Sequence, residues 1–320
     1  LRADQRGAVD EPAFSTANTV SARLSWKAND LWNSQLSLRL LDEKRGNGTP
    51  VGQNSTEAAD LSFVSQREIP AQDASLNLNL YLQDRSFQNV FASVSDDRNS
   101  ERPALDQFDV PAQAIGGAIV YRGAQATSLS YAAGLDFRQI EGAVNERYRN
   151  LGAGFTRERY AGGEQTFLGV FAQLESQLGE NDTVTLTARG EELSLRSGRR
   201  TETNTETDSV ILDERYPDRD RKVLSGNLNW KHQISDTVST QLALFSGYRA
   251  PTLNERYRPF RVRNDITEAN PELANERHQG VEFSYQQESA DSLHSLRLSG
   301  FFYEADEMVA NALYTTEPGF

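Results

Sequence analysis

Apolar and polar residues alternate along most of this chain. Val20, Ala22, Leu24 and Trp26 interleave with Ser21, Arg23, Ser25 and Lys27, and Leu76, Leu78, Leu80 and Leu82 with Ser75, Asn77, Asn79 and Tyr81. The same beat recurs at Leu36/Leu38/Leu40, Leu129/Tyr131/Ala133/Leu135/Phe137, Leu168/Val170/Ala172/Leu174 and Val184/Leu186/Ala188. Leu224/Gly226/Leu228/Trp230, Val238/Thr240/Leu242/Leu244, Val281/Phe283/Tyr285 and Leu296/Leu298/Gly300/Phe302 continue it. Successive side chains of a strand point to opposite faces, so each segment has one apolar and one polar face. With weaker segments near 61–69 and 106–121, the pattern predicts about twelve strands.

The connections alternate too. Short, turn-like links fall at Asn29-Asp30, Pro70 to Asp73, Arg122 to Gln125, Gly179 to Asp182, Ser235-Asp236 and Glu288 to Asp291. Long polar links fall near 42–58, 84–105, 142–158, 198–217 and 249–277. Hairpins with tight turns at one end and long loops at the other describe an outer-membrane barrel. Trp26, Trp32 and Trp230 all stand beside short turns at apolar-face parity, where an indole settles at the headgroup level.

A soluble sandwich or propeller would also alternate. However, no blade motif recurs at the hairpin spacing, and Arg23, Arg39, Asn77, Arg138, Arg189, Lys231 and Arg297 cannot all enter a dry core. The pattern favours an all-β, antiparallel transmembrane β-barrel with a wet lumen. It places Leu24, Leu78, Leu186, Leu228 and Leu242 toward lipid, and Ser21, Asn77, Thr185, Asn229 and Gln241 toward the lumen.

Composition narrows the functional classes. The 320 residues include no Cys and three His, and the net charge is -13. Thiolate metal sites and a disulfide framework are therefore excluded, and nucleic acid is not an expected partner. The longest apolar stretch, Ala114 to Val120, is too short for a membrane helix. A mean hydropathy of -0.63 is what a barrel gives, because its hydrophobicity hides in alternation. The start of the chain has no basic and apolar leader, so no signal peptide is expected in it.

One stretch carries a family resemblance. Phe245 to Tyr285 reads FSGYRAPTLNERYRPFRVRNDITEANPELANERHQGVEFSY. It resembles the barrel signature of TonB-dependent receptors: (F/Y)-R-A-P-(T/S)-L-x-E-L-(Y/F), a polar loop, then N-P-x-L-x-x-E and the next strand. The match is carried by Tyr248, Arg249, Ala250, Pro251, Thr252, Leu253, Glu255 and Tyr257, then Asn270, Pro271, Leu273, Glu276 and Gly280. The residues themselves read as structural. Pro251 removes a ladder donor and ends the strand, Asn270-Pro271 starts a turn, and Arg249 and Glu276 can pair across the loop base.

The resemblance implies a barrel of about 22 strands around an N-terminal plug. Residues 1–320 are then expected to be a partial barrel domain, with the plug absent from this chain. Leu1 to Pro12 is loop-like, and TTEPGF lacks the alternating strand that should precede a terminal Phe320. The implied function is TonB-dependent uptake of a scarce chelate, a ferric siderophore or cobalamin, across a Gram-negative outer membrane. The alternative is a passive porin-type channel. Implied partners are outer-membrane lipid and lipopolysaccharide, the chelate, and the TonB complex through the missing N-terminal region. Haem receptors of this family carry a histidine between the two boxes, and no His lies between Pro251 and Asn270 here; His278 comes later. The candidate ligand-binding loop is Arg256, Tyr257, Arg258, Phe260, Arg261 and Arg263, because guanidinium groups and rings suit an anionic chelate. Its arginines could instead pair with Asp265, Glu268 and Glu272.

No enzyme is expected. Outer-membrane phospholipases resemble one another in a His and a Ser two apart, and His294 is followed by Ser295 and Leu296. Glu191-Glu192 and Asp96-Asp97 are consecutive, so on a strand they diverge. No catalytic, metal-binding or cofactor-binding residues are predicted.

Overall fold

The computed structural model describes residues 5–125, 128–262, 265–289, 291 and 293–311. The strands run in chain order: β1 (Phe14–Asn29), β2 (Trp32–Gly46), β3 (Gln53–Ile69), β4 (Ala74–Val94), β5 (Glu101–Ala124), β6 (Leu129–Asn150), β7 (Phe155–Leu178) and β8 (Asp182–Asn204). They continue as β9 (Val210–Arg215), β10 (Arg219–Ser235) and β11 (Val238–Arg249), then α1 (Leu253–Tyr257), β12 (Phe260–Val262), β13 (Asp265–Thr267), β14 (Glu276–Glu288) and β15 (Ser295–Asp306). Thirteen strands form one antiparallel sheet, its path running in chain order from β1 to β8 and on through β10, β11, β14 and β15. Twelve lie on its path, as expected; β9 pairs the far end of β8, and β12 and β13 make a separate hairpin. β1 and β15 each pair on one side, so among the described residues the sheet is open.

Register shows that the faces are continuous. Leu24, Leu36, Phe63, Leu80, Gly117, Phe137 and Leu168 are successive cross-strand partners. So are Leu174, Leu186, Leu228, Leu244, Val281 and Phe302. The five leucines predicted to face lipid share this apolar face, and the five polar residues predicted for the lumen share the other. Leu24 is 61% exposed and Leu186 51%, so the apolar face has no protein cover. The band it makes is bounded: Leu76 to Leu82 ends at Asp84, Val184 to Gly190 at Glu192, and Trp230 to Leu224 at Lys222. Four alternate positions per strand run about 23 Å along it, and together they make the outward apolar belt expected of a barrel wall.

All six short turns fall at the strand ends where they were expected. Beside them the indoles face outward, Trp32 Nε1 donating to Ser65 Oγ at 2.6 Å and Trp230 Nε1 to Asp182 Oδ1 at 2.8 Å. The Tyr121 hydroxyl donates to Gln72 at 2.8 Å in the same belt.

The long links are a correction. β5 and β7 each have 24 residues, where crossing a bilayer takes about 9–11. Most of 42–58, 84–105, 142–158 and 198–217 is therefore strand, and the hairpins close only at 47–52, 95–100, 151–154 and 205–209. Alternation marks a strand only where one face meets an apolar phase. Beyond the membrane both faces are wet, and paired strand reads as polar loop. Pro103, which cannot donate to a ladder, sits where the β4–β5 register shifts.

The sheet buries little within itself. Its buried apolar cluster is Phe167, Leu193 and Leu195, with Ile140 and Ala250 packed against it. These side chains lie on the polar face, above the band, beneath the segment that follows β11.

Candidate functional site

The two signature boxes form one folded unit on the polar face. β11 stops at Arg249, just before Ala250 and the proline that cannot extend its ladder. Thr252 then caps α1: Thr252 Oγ1 accepts from the Glu255 amide, and Glu255 Oε2 accepts from the Thr252 amide at 2.7 Å. This reciprocal capping box lets a five-residue helix form where propensity alone would not hold one. The Pro251 carbonyl accepts from buried Gln165 Nε2 at 2.7 Å, which pins the turn to β7.

Arg249 and Glu276 are cross-strand partners at the base. Arg249 Nε and Nη2 donate to the two oxygens of Glu276 at 2.6 and 2.7 Å, and Nη1 donates to Glu255 at 3.0 Å. One guanidinium thus joins β11, α1 and β14. Burial pushes the Glu255 carboxyl up, but the Arg249 and Thr252 donors outweigh it and hold the carboxyl below its ordinary value.

The predicted ligand loop divides into engaged and free parts. Tyr257 is buried against Gly163 and Gly198, where an added Cβ would stand 2.8 and 2.7 Å from its ring. It stacks on Tyr216 at 5.2 Å, and burial raises its phenol. Arg258 donates to Glu146 Oε2 at 2.7 Å. Glu146 is fully buried and also holds Arg159, whose Nη1 lies 3.5 Å from Glu202; Glu202 in turn accepts from the Tyr148 hydroxyl at 2.7 Å. Phe260 is exposed. Arg261 is placed on β12 by its backbone, and Arg263 lies outside the described residues. Of the expected acidic partners, Glu268 pairs with Arg200 and Glu272 with Arg219 instead.

Arg256 is different. It occupies the place where the signature has Leu, and its exposure is 0%. Nη1 donates to the Leu273 carbonyl at 2.9 Å and more weakly to Pro271, so the first box clasps the second. Nε and Nη2 are buried without a partner among the described residues. Burial, with the repulsion of Arg221 and Arg219 on β10, outweighs the attraction of Tyr257 and Glu255 and brings this guanidinium down to about 10.

Sequence reasoning missed the network of Glu146, Arg159, Arg200, Glu202 and Tyr148, which lies on β6 to β8, about a hundred residues from the boxes in places and has no local signature. It also missed α1, for which Thr252-x-x-Glu255 was a readable signal. His278 donates to or accepts from the Tyr303 hydroxyl through Nδ1 and has Nε2 3.4 Å from Glu276. Among the described residues no cluster of three His, Cys, Asp or Glu could hold a metal.

A family model described as TonB dependent receptor-like, beta-barrel, matches residues 3–319. No curated protein matches the sequence. Among solved structures, the ferric-catecholate import receptor Fiu of E. coli K12, closed form, superposes with a TM-score of 0.72 at 7% identity, over 94% of this chain and 52% of that one. The ferric yersiniabactin uptake receptor FyuA from Yersinia pestis gives 0.68 at 13% identity, over 92% and 46%. A double mutant of the Serratia marcescens hemophore receptor HasR, solved with its hemophore HasA and heme, gives 0.67 at 15% identity, over 91% and 45%. The chain spans about half the length of the solved structures it matches, and at these identities the likeness is one of fold.

Proposed function

This chain belongs to the TonB-dependent receptor β-barrel family, and from that premise we propose that the intact protein is an outer-membrane receptor for active uptake of a scarce metal chelate. Members of this family are outer-membrane proteins of Gram-negative bacteria, in keeping with the apolar band and its indole belt. The observation that carries the reading is the inward fold of the signature unit. Residues 250–258 turn onto the polar, lumenal face and are locked there by Arg249 and Glu146, which packs guanidinium and aromatic groups into the wall of the lumen with Phe260 exposed beside them. A passive channel gains nothing from such a unit, and the comparisons lend that alternative no support.

The substrate of this reading is a ferric siderophore or cobalamin, with Arg256, Tyr257, Arg258, Phe260, Arg261 and Arg263 as the loop that meets it. An anionic chelate would be drawn to this cluster in a chain that is otherwise acidic. Haem is disfavoured by the absence of His between the boxes and by the engagement of His278 with Tyr303 and Glu276. The reading includes a plug and a coupling segment that meets the TonB complex, and lipid and lipopolysaccharide around the barrel. A deletion strain grown under iron limitation, with single chelates or cobalamin supplied, tests it. Loss of growth on one of them is expected, and unchanged uptake of every one overturns the reading.

A further inference from the structure

Arginines of this protein repeatedly hold carboxylates with one edge, the fork of Nε and Nη2. Arg249 offers it to Glu276, Arg258 to Glu146 and Arg98 to Asp10. That edge matches the two oxygens of a carboxylate in plane and spacing. Arg256 has the same fork, fully buried and empty among the described residues. Its neighbours compensate the charge only in part: its remaining nitrogen faces neutral carbonyls, and the repulsion of Arg219 and Arg221 opposes the attraction of Tyr257 and Glu255. The nearest acid in sequence, Glu255, is committed to Arg249 and to the cap of α1. A buried cation without a counter-charge is among the least favourable groups a protein can carry. The leucine of the family signature would have avoided that cost. In this chain the position has been given to the one side chain that can form a planar, charged fork.

We propose that the Nε/Nη2 edge of Arg256 is a carboxylate seat, filled by a carboxylate of the transported chelate, with Arg219 and Arg221 strengthening the positive field around it. The inference rests on the transport reading and narrows its substrate class to carboxylate-bearing chelates. Because the two nitrogens are closed to solvent, the carboxylate enters as the 252–258 segment yields beside β10. The segment then exchanges a partly compensated charge for a paired one. Binding and movement of the signature unit are thereby linked.

The test uses the purified full-length receptor, with ferric citrate as the carboxylate probe and a ferric tris-catecholate as the comparison, followed by tryptophan fluorescence. Arg256→Leu is expected to weaken ferric citrate binding by about tenfold or more while leaving the barrel folded, since it restores the family residue. Arg256→Lys keeps the charge but loses the fork, and should recover little of that affinity. Equal affinity of parent and Arg256→Leu for ferric citrate overturns the seat. So does a parent that binds the catecholate and ignores ferric citrate, an outcome that leaves the transport reading standing. A receptor that binds and takes up no chelate removes both. If Arg256→Leu instead unfolds the ligand-free barrel and Arg256→Lys does not, the charge is matched by an acid of the protein itself, and the proposal fails.

Discussion

Arg249 and Glu276 face each other in register across β11 and β14, two hydrogen bonds of 2.6 and 2.7 Å closing the base of a loop of 26 residues. The Glu276 side chain is 6% exposed, so removing its partner leaves a carboxylate with little water to turn to. Arg249→Ala is expected to lower the stability of the full-length protein by about 1–3 kcal/mol in a denaturant titration. Arg249→Lys should restore less than half of that, because an ammonium cannot bridge both oxygens and Glu255 together. A parent-like midpoint for Arg249→Ala would show that the pair is idle.

Gly163 and Gly198 make the seat of Tyr257, since a Cβ at either would collide with the ring. Gly163→Val is therefore expected to evict the ring and lift α1 off the wall. Arg256 and Arg258, shielded in the parent, then become cleavable by trypsin added outside intact cells. Fragment mapping reads this directly, and an uncut Gly163→Val chain would mean the unit is held without Tyr257.

The two faces of β8 predict opposite outcomes for the same substitution. Leu186→Arg puts a charge into the apolar band and should cost about 2–4 kcal/mol near its middle, reducing the amount of assembled barrel in the outer membrane. Thr185→Arg, one residue earlier, points to the lumen and should assemble at parental levels. Quantifying heat-modifiable barrel for both decides the orientation of the sheet.

Acid should release the segment ahead of β1. Asp10 accepts from Arg98 and from the Gly7 amide, and these donors bring its carboxyl down to about 2. A carboxyl lower in the folded protein than in the unfolded one, where it titrates near 3.9, stabilises above the unfolded value and ceases to as pH falls to the folded one. Residues 5–13 should therefore stay docked at pH 5 and come free between about 4 and 2. Asp10→Asn should leave them free throughout. Hydrogen exchange of the Val9 amide, bonded to the Arg98 carbonyl at 3.1 Å, reports the docking. Protection of that amide, relative to its intrinsic exchange at each pH, that does not change in the parent would remove Asp10 from this role.

The sheet was legible because a bilayer imposes a rule on every second residue. Where the rule applies, Leu24, Leu186 and Trp230 declare face, depth and neighbouring turn without help from tertiary structure. Past the bilayer the constraint lapses, and strand at 142–150 or 198–204 looks like loop because its pairing is backbone pairing, which side chains do not encode. The base pair Arg249–Glu276 was readable because two motifs frame it. Glu146 was not: nothing within its own strand distinguishes it from other acids, and its meaning comes from Arg159 and from Arg258, 112 positions away. For Arg256 the sequence points to a ligand or a neighbouring acid but not to complete burial, since sequence gives the charge of a loop arginine and not its exposure.

The overshoot of the strands has a consequence for what meets this protein from outside. A strand of 24 residues is roughly 80 Å long and, at a tilt of about 45°, rises some 25 Å above the lipid. The protein therefore wears a collar of hydrogen-bonded sheet, with short fringes at 47–52, 95–100, 151–154 and 205–209. A macromolecule approaching this end would meet those fringes first, and a tag inserted there would leave the lattice beneath untouched. A solute, by contrast, reaches the lumen along a stiff wall, its path set by a surface that such an insertion leaves unchanged.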